Sequence, residues 1–301
     1  MRFACRSIRL LGALVLGLGA PVLCLGVTPQ ASAAPGDVRV EKDVAYLGPE
    51  RAEKGDLYLP PASDAAARYP GIVIIHGGGW SGGDKGASRE QNIGTTLAQN
   101  GYVCISINYL LQPRSGPPIW PQNLHDCKVA VQWLRANADR LQIDPENIGV
   151  IGGSAGGHLA AMVGVTGPES GLDPSEPYPN ISCRVQAVID MYGPMARVDH
   201  RVRRLIGKSC EEAPELCRQI TPLSHLDPAD PPVLILHGTA DTTVAVSDSE
   251  DFAAALQEAG VEHQLIIIPD APHTFHLQPK QRDLRPVVLE FLNKHLKGQG
   301  N

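Results

Sequence analysis

The chain has 301 residues, 43% of them hydrophobic and 19% charged, a globular balance that excludes disorder and coiled coil as its main state. A formal net charge of -6 leaves no basic excess to neutralise phosphates, which argues against a nucleic-acid partner. With 31 Gly and 26 Pro but no Gly-X-Y period, collagen is excluded and many tight turns are implied.

In chain order, the first predicted element is an export leader. Arg2, Arg6 and Arg9 precede an apolar run from Ile8 to Val27, and Ala31-Ser32-Ala33 supplies the small-x-small pattern that a signal peptidase accepts. Residues 1–33 are read as a signal peptide and 34–301 as one mature domain, secreted or periplasmic, with no stable membrane insertion after cleavage. A retained anchor is the alternative; Pro21 inside the apolar run and the cleavage pattern argue against it. Export implies an oxidising compartment. Of seven Cys, Cys5 and Cys24 leave with the leader. Cys210 and Cys217 are either a local disulfide or two thiols, Cys104 reads as a buried small hydrophobe, and the odd remainder leaves at least one Cys unpaired.

Beyond the leader, short apolar runs alternate with helix-length segments. Predicted strands are Val38–Leu47, Asp56–Leu59, Ile72–Ile75, Tyr102–Ile107, Asn147–Ile151, Val185–Met191, Val233–Leu236 and His263–Ile268. Predicted helices are Arg89–Asn100, Pro121–Leu141, Ser154–Val165, Ser247–Ala259 and Arg285–Leu296. The alternation predicts an α/β fold with a mostly parallel central sheet and helices on both faces. Residues 167–182 read as a loop, and 195–230 as a small helical excursion over the sheet's edge.

The chemistry starts at Gly152-Gly153-Ser154-Ala155-Gly156. A strand leads in and a helix leads out, the context of a nucleophile elbow with Ser154 at its tip. A hydroxyl needs a base, and the base is expected after the last strand. His273 comes first there; His276 competes. The base needs an acid to fix its tautomer. Asp241 follows a buried strand in the loop that the order Ser, Asp, His requires, with Asp190 as the alternative and Asp270 read as a turn former. Acyl transfer also needs donors for an oxyanion. Three Gly follow His76, so the N–H groups of Gly78 and Gly79, with that of Ala155, are the expected donors. His76 is expected to brace this loop, Trp80 to wall the acyl pocket, and loops 109–120 and 195–230 to border the site. No metal or organic cofactor is called for: His273-Thr274-Phe275-His276 lacks the Glu of a zinc motif.

Together these residues resemble the α/β-hydrolase family, in its hormone-sensitive-lipase-like branch. The resemblance rests on His76-Gly77-Gly78-Gly79-Trp80, on residues 153–161, and on Gly83-Asp84-Lys85, Asp126 to Arg135, Ile143-Asp144-Pro145, His237 to Asp241 and Pro272 to Phe275. It runs from about residue 38 to 297 and is similar to secreted bacterial acetylxylan and feruloyl esterases. It implies Ser154, Asp241 and His273 as nucleophile, acid and base, and an ester or acylated carbohydrate as substrate. Amide and lipid-ester hydrolysis are its rival activities, and a non-catalytic binding protein on the same fold is a third. Leu110-Leu111 after Asn108-Tyr109 departs from the family, which usually places an Arg after that Tyr, and is expected to alter the pocket rim.

Overall fold

A computed structural model describes residues 36–61, 67–195, 203 and 205–298; the leader, with Cys5 and Cys24, lies outside them. Eight strands form one sheet: β1 (Arg39–Val44), β2 (Gly55–Leu59), β3 (Tyr69–Ile75), β4 (Val103–Ile107), β5 (Ile143–Gly153), β6 (Ala187–Met191), β7 (Val233–Gly238) and β8 (His263–Ile268). Their spatial order is β1-β2-β4-β3-β5-β6-β7-β8. The β1–β2 and β2–β4 pairs are antiparallel, and every pair from β4 to β8 is parallel. The expected α/β-hydrolase architecture is thus present.

The helices are α1 (Ser88–Gln99), α2 (Gln122–Ala136), α3 (Ala138–Leu141), α4 (Ala155–Val165), α5 (Pro214–Ile220), α6 (Val246–Ala259) and α7 (Arg285–Leu296). Strand alternation decides which face each side chain joins. Val73 and Ile75 pack with residues of α2, α4 and α6, such as Leu134, Leu159 and Phe252. Ile72 and Ile74 pack with α1 and α7, through Leu97 and Leu292. Covered on both faces, β3 is apolar throughout its centre.

One helical expectation changes. The predicted helix over 121–141 breaks at Asn137, whose backbone N–H and side-chain amide both donate to the Trp133 carbonyl, at 3.0 and 2.9 Å. The described part of the excursion contains α5 and reaches α4: the His158 ring Nε2 sits 2.7 Å from the Ile220 carbonyl oxygen. Cys210 and Cys217 are bonded to each other at α5. Cys104 is buried and unpaired, as expected, and so are Cys127 and Cys183.

Strand order places the site. β3 sends the chain outward to β4, and β5 returns on its other side, so the C-terminal ends of β3 and β5 lie adjacent where the order reverses. In such sheets, ligands bind at this crevice. Ile75 is registered with Gly152, which brings the Gly-rich loop beside the elbow.

Asp190 on β6 is fully buried, and its Oδ1 accepts the Gly193 N–H at 2.9 Å while Oδ2 has no partner. Burial pushes its carboxyl up to about 8. An unfolded Asp is ionised above about pH 4, whereas the folded state keeps the proton up to about 8. The folded state therefore binds more protons across that window, and stability falls as pH rises through it. Asp190→Asn keeps the bond from Gly193 and removes the titration. At pH 8 its unfolding free energy is expected to exceed the wild type's by a few kcal/mol, even after about 1–3 is subtracted for an unpaired amide N–H, and its thermal midpoint to lie correspondingly higher. The gap should narrow toward pH 5. Equal midpoints at both pH values, by circular dichroism melting, would contradict the buried-acid account.

Candidate active site

Ser154 sits between β5 and α4 with φ 57° and ψ −124°, a backbone shape that side chains rarely adopt. It holds because both flanks are tight. Its N–H donates to the Met191 carbonyl at 2.8 Å, and its carbonyl accepts from His158 N–H at 3.1 Å. A Cβ on Gly156 would lie 2.2 Å from the Ile75 carbonyl oxygen, so the helix can approach β3 only with glycine there.

Three loops bring the remaining groups together. His273 Nε2 lies 2.9 Å from Ser154 Oγ, and its Nδ1 lies 2.6 Å from Asp241 Oδ2. Residues 119 and 32 positions apart in sequence thus meet in a continuous Ser–His–Asp relay. The Asp241 side chain is buried, 1% exposed. Its Oδ1 accepts the N–H groups of Thr243 at 2.8 Å and Val244 at 2.9 Å. Burial pushes this carboxyl up, but the bonds from His273, Val244 and Thr243 outweigh it, and the net direction is down. A carboxylate held against Nδ1 keeps the ring hydrogen there and leaves Nε2 free to accept a proton. The rivals are elsewhere engaged. Asp190 bonds the Gly193 N–H, and His276 Nδ1 accepts from Gln278 N–H at 3.0 Å on the surface.

The Gly-rich loop carries Gly78 at φ 120° and Gly79 at φ 59°. A Cβ at Gly78 would lie 2.2 Å from the Gly82 carbonyl oxygen, which makes that position glycine-only. The N–H groups of Gly78, Gly79 and Ala155 donate to no acceptor among the described residues. Gly78 and Gly79 border the same cleft as Ser154. His76 braces the loop as expected: its ring stacks on Tyr109 with centroids 4.5 Å apart, and the Tyr109 hydroxyl donates to its carbonyl at 3.0 Å.

Several expectations about the pocket are corrected. Trp80 is 2% exposed, packs edge-on against His158 and does not line the cleft; its indole joins the apolar core beside α4. None of residues 109–120, nor the described part of 195–230, borders the cleft. The departure at Leu110 lies away from it too: the Leu110 N–H donates to Asp126, whose carboxylate is held by Arg51. The wall is instead built from Gly83, Asp84, Ala87, Ser88, Arg89 and Glu90, together with Thr243 and Thr274.

Sequence reasoning missed the ion pair in that wall. Arg89 is 8% and Glu90 2% exposed, and their side chains pair directly. Arg89 Nη1 also donates to the Tyr192 hydroxyl at 2.9 Å, and that hydroxyl donates to the Phe275 carbonyl at 2.9 Å. The Tyr192 ring lies edge-on to His273, 4.9 Å between centroids. This chain ties α1 to the turn that carries His273. No period or motif announces it, because its members lie on three separate segments.

A BD-FAE family profile matches residues 56–256. The chain belongs to the BD-FAE family. The BD-FAE match contains Ser154 and Asp241, and His273 lies beyond its end. Among solved structures, the chain is similar to a truncated carbohydrate esterase from gut microbiota: TM-score 0.77, 27% identity, 87% of this chain and 98% of that one covered. It is also similar to Thermogutta terrifontis esterase 2, solved phosphorylated by paraoxon: TM-score 0.68, 29% identity, 86% and 94% covered. Among curated proteins, it is 29% identical to esterase LipQ and 28% identical to the probable carboxylic ester hydrolase LipM, both of Mycobacterium tuberculosis. These alignments cover 83% and 80% of this chain but only 61% and 56% of those proteins.

Proposed function

We propose that this chain is an exported serine esterase that hydrolyses short-acyl, acetyl-type esters, with acylated carbohydrate as the preferred substrate class. The observation that carries the substrate class is the cleft's lining. The cleft holds about 430 Å³, and among the described residues that border it no apolar side chain is larger than Ala87. Its walls are glycine backbone, Asp84, Ser88, Arg89, Glu90, Thr243 and Thr274. Burying each methylene of an acyl chain yields about 0.8 kcal/mol where an apolar wall receives it. This cleft presents no large apolar side chain to a long acyl chain, whereas Asp84, Ser88, Thr243 and Thr274 offer polar partners to a hydroxyl-rich alcohol.

In the proposed reaction His273 Nε2 takes the Ser154 proton as Oγ attacks the ester carbonyl. The developing oxyanion is held by the N–H groups of Gly78, Gly79 and Ala155, each such donor contributing about 3–4 kcal/mol in comparable sites. Asp241 stabilises the imidazolium, which returns its proton to the departing alkoxide. Water then enters, gives a proton to His273 and attacks the acyl-enzyme, releasing the acid and restoring Ser154.

Export is part of the proposal, supported by the Arg-rich start, the apolar run and Ala31-Ser32-Ala33. The Cys210–Cys217 bond suits the oxidising compartment that export would reach. Residues 34–301 are proposed as one hydrolase domain. Among the described residues, no helix is long and apolar enough to cross a membrane.

The test is a panel of acetyl to decanoyl nitrophenyl esters beside acetylated xylan and a feruloyl ester. The expected kcat/KM for acetyl exceeds that for decanoyl by about 100-fold, equivalent to about 2.8 kcal/mol, with acetate released from xylan. A preference for long chains would replace this reading with a lipid esterase. Faster cleavage of matched amides would replace it with an amidase.

A further inference from the structure

Beyond the three residues of the relay, a second imidazole touches the acid. His237 ends β7 and is completely buried. Its Nε2 lies 3.2 Å from Asp241 Oδ2 and 3.0 Å from the Val244 carbonyl oxygen. Its Nδ1 lies 2.7 Å from Ser249 Oγ on α6. The partners assign the tautomer. A carbonyl and a carboxylate can only accept, so Nε2 carries the hydrogen and shares it between them. Nδ1 is then the acceptor for the Ser249 hydroxyl proton. Burial, the larger influence on this ring, favours the same neutral form.

We propose that His237 is a positioning residue for the catalytic acid, holding the Asp241 carboxylate at the angle that His273 requires. The proposal rests on the reading of Ser154, His273 and Asp241 as the triad. Two backbone N–H groups anchor Oδ1, but both come from the short loop that follows Asp241. Oδ2 faces His273, whose turn arises from the other side of β8. His237 is the donor that reaches Oδ2 from the sheet itself. Through Val244 and Ser249 it also clamps the acid's loop to β7 and α6. A carboxylate freed from this clamp can swing about its Cβ–Cγ bond, and a misplacement of about 1 Å costs about 100-fold in rate.

The experiment compares His237→Asn, His237→Gln and wild type. A Gln amide N–H reaches the position of Nε2; an Asn side chain stops near Nδ1 and leaves Oδ2 without its second donor. For a short-chain ester, His237→Asn is expected to lose about 10–100-fold in kcat with KM within about 2-fold of wild type. His237→Gln is expected to recover most of that loss. The low-field proton resonance of the His273–Asp241 bond should move in His237→Asn and stay near the wild-type position in His237→Gln. A third variant, Ser249→Ala, loosens the clamp without touching the acid and is expected to lower kcat less than His237→Asn does. Equal losses in the Asn and Gln variants that follow their melting temperatures would overturn the proposal in favour of packing alone. So would a folded His237→Asn enzyme with wild-type kcat and an unmoved resonance. Failure of the esterase reading itself looks different: wild type would then hydrolyse no ester, although the resonance comparison could still be made.

Discussion

Replacing Ser154 by Ala is expected to lower kcat for a short-chain ester by about 10⁶-fold. The nucleophilic oxygen disappears, and what remains is the oxyanion pocket acting on water, which in such sites retains about 10³–10⁴-fold over solution. Ser154→Ala combined with His273→Ala should cost little more than either alone, since base and nucleophile act as one unit. The same position makes a second, independent prediction. Ser154 holds φ 57° and ψ −124°, a shape that costs a non-glycine residue about 1–3 kcal/mol. Ser154→Gly should therefore be as inactive as Ser154→Ala yet melt at a higher temperature. Ordinarily glycine at the start of a helix loosens the fold, so an increase would report strain stored at the elbow. Stopped assays together with thermal unfolding check both halves. An active Ser154→Ala enzyme would remove the serine mechanism altogether.

Asp241→Asn is expected to cost about 10⁴-fold in kcat, with the fold retained. The geometry gives the reason. Four donors face this carboxylate: the N–H groups of Thr243 and Val244 on Oδ1, and the two imidazoles on Oδ2. An Asn can satisfy the backbone pair with its oxygen, but its NH₂ must then face His273. The ring responds by presenting a lone pair at Nδ1 and a hydrogen at Nε2. That hydrogen points at Ser154 Oγ, so the base can no longer accept the serine proton. The bonded carboxylate also stabilises the native state. Its pKa lies below the unfolded value, so the contribution is present above the unfolded pKa and is lost as pH falls through the folded one. Asp241→Asn should accordingly melt below wild type at pH 7 and approach it in acid. A kcat within 10-fold of wild type would show that another group orients His273.

The elbow was legible in the chain because its requirements are local. A strand, a sharp turn and a helix each leave a short-range pattern, and close approach at the turn demands small residues next to Ser154. The alternation that predicted the sheet is equally local, since it reflects side chains pointing to opposite faces. Strand limits moved by a few residues, and the helix over 121–141 split at Asn137, a break that leaves the apolar period undisturbed. Asp241 and His273 could be nominated by their positions after strands. Order along the chain and the family resemblance already favour them over Asp190 and His276, and the distances across the folded chain agree with that choice.

What the sequence by itself determined is the fold class, the elbow and the short set of groups able to serve it. Tertiary structure alone decided which side of the cleft α1 walls, that Trp80 faces the core, and that Arg89, Tyr192 and His237 stand behind the triad. The division is physical. Backbone shape and hydrophobic period are written over a few neighbouring residues, whereas a cleft is the space left between segments far apart in the chain. Its walls follow from the strand order and the packing angles, which no single segment encodes.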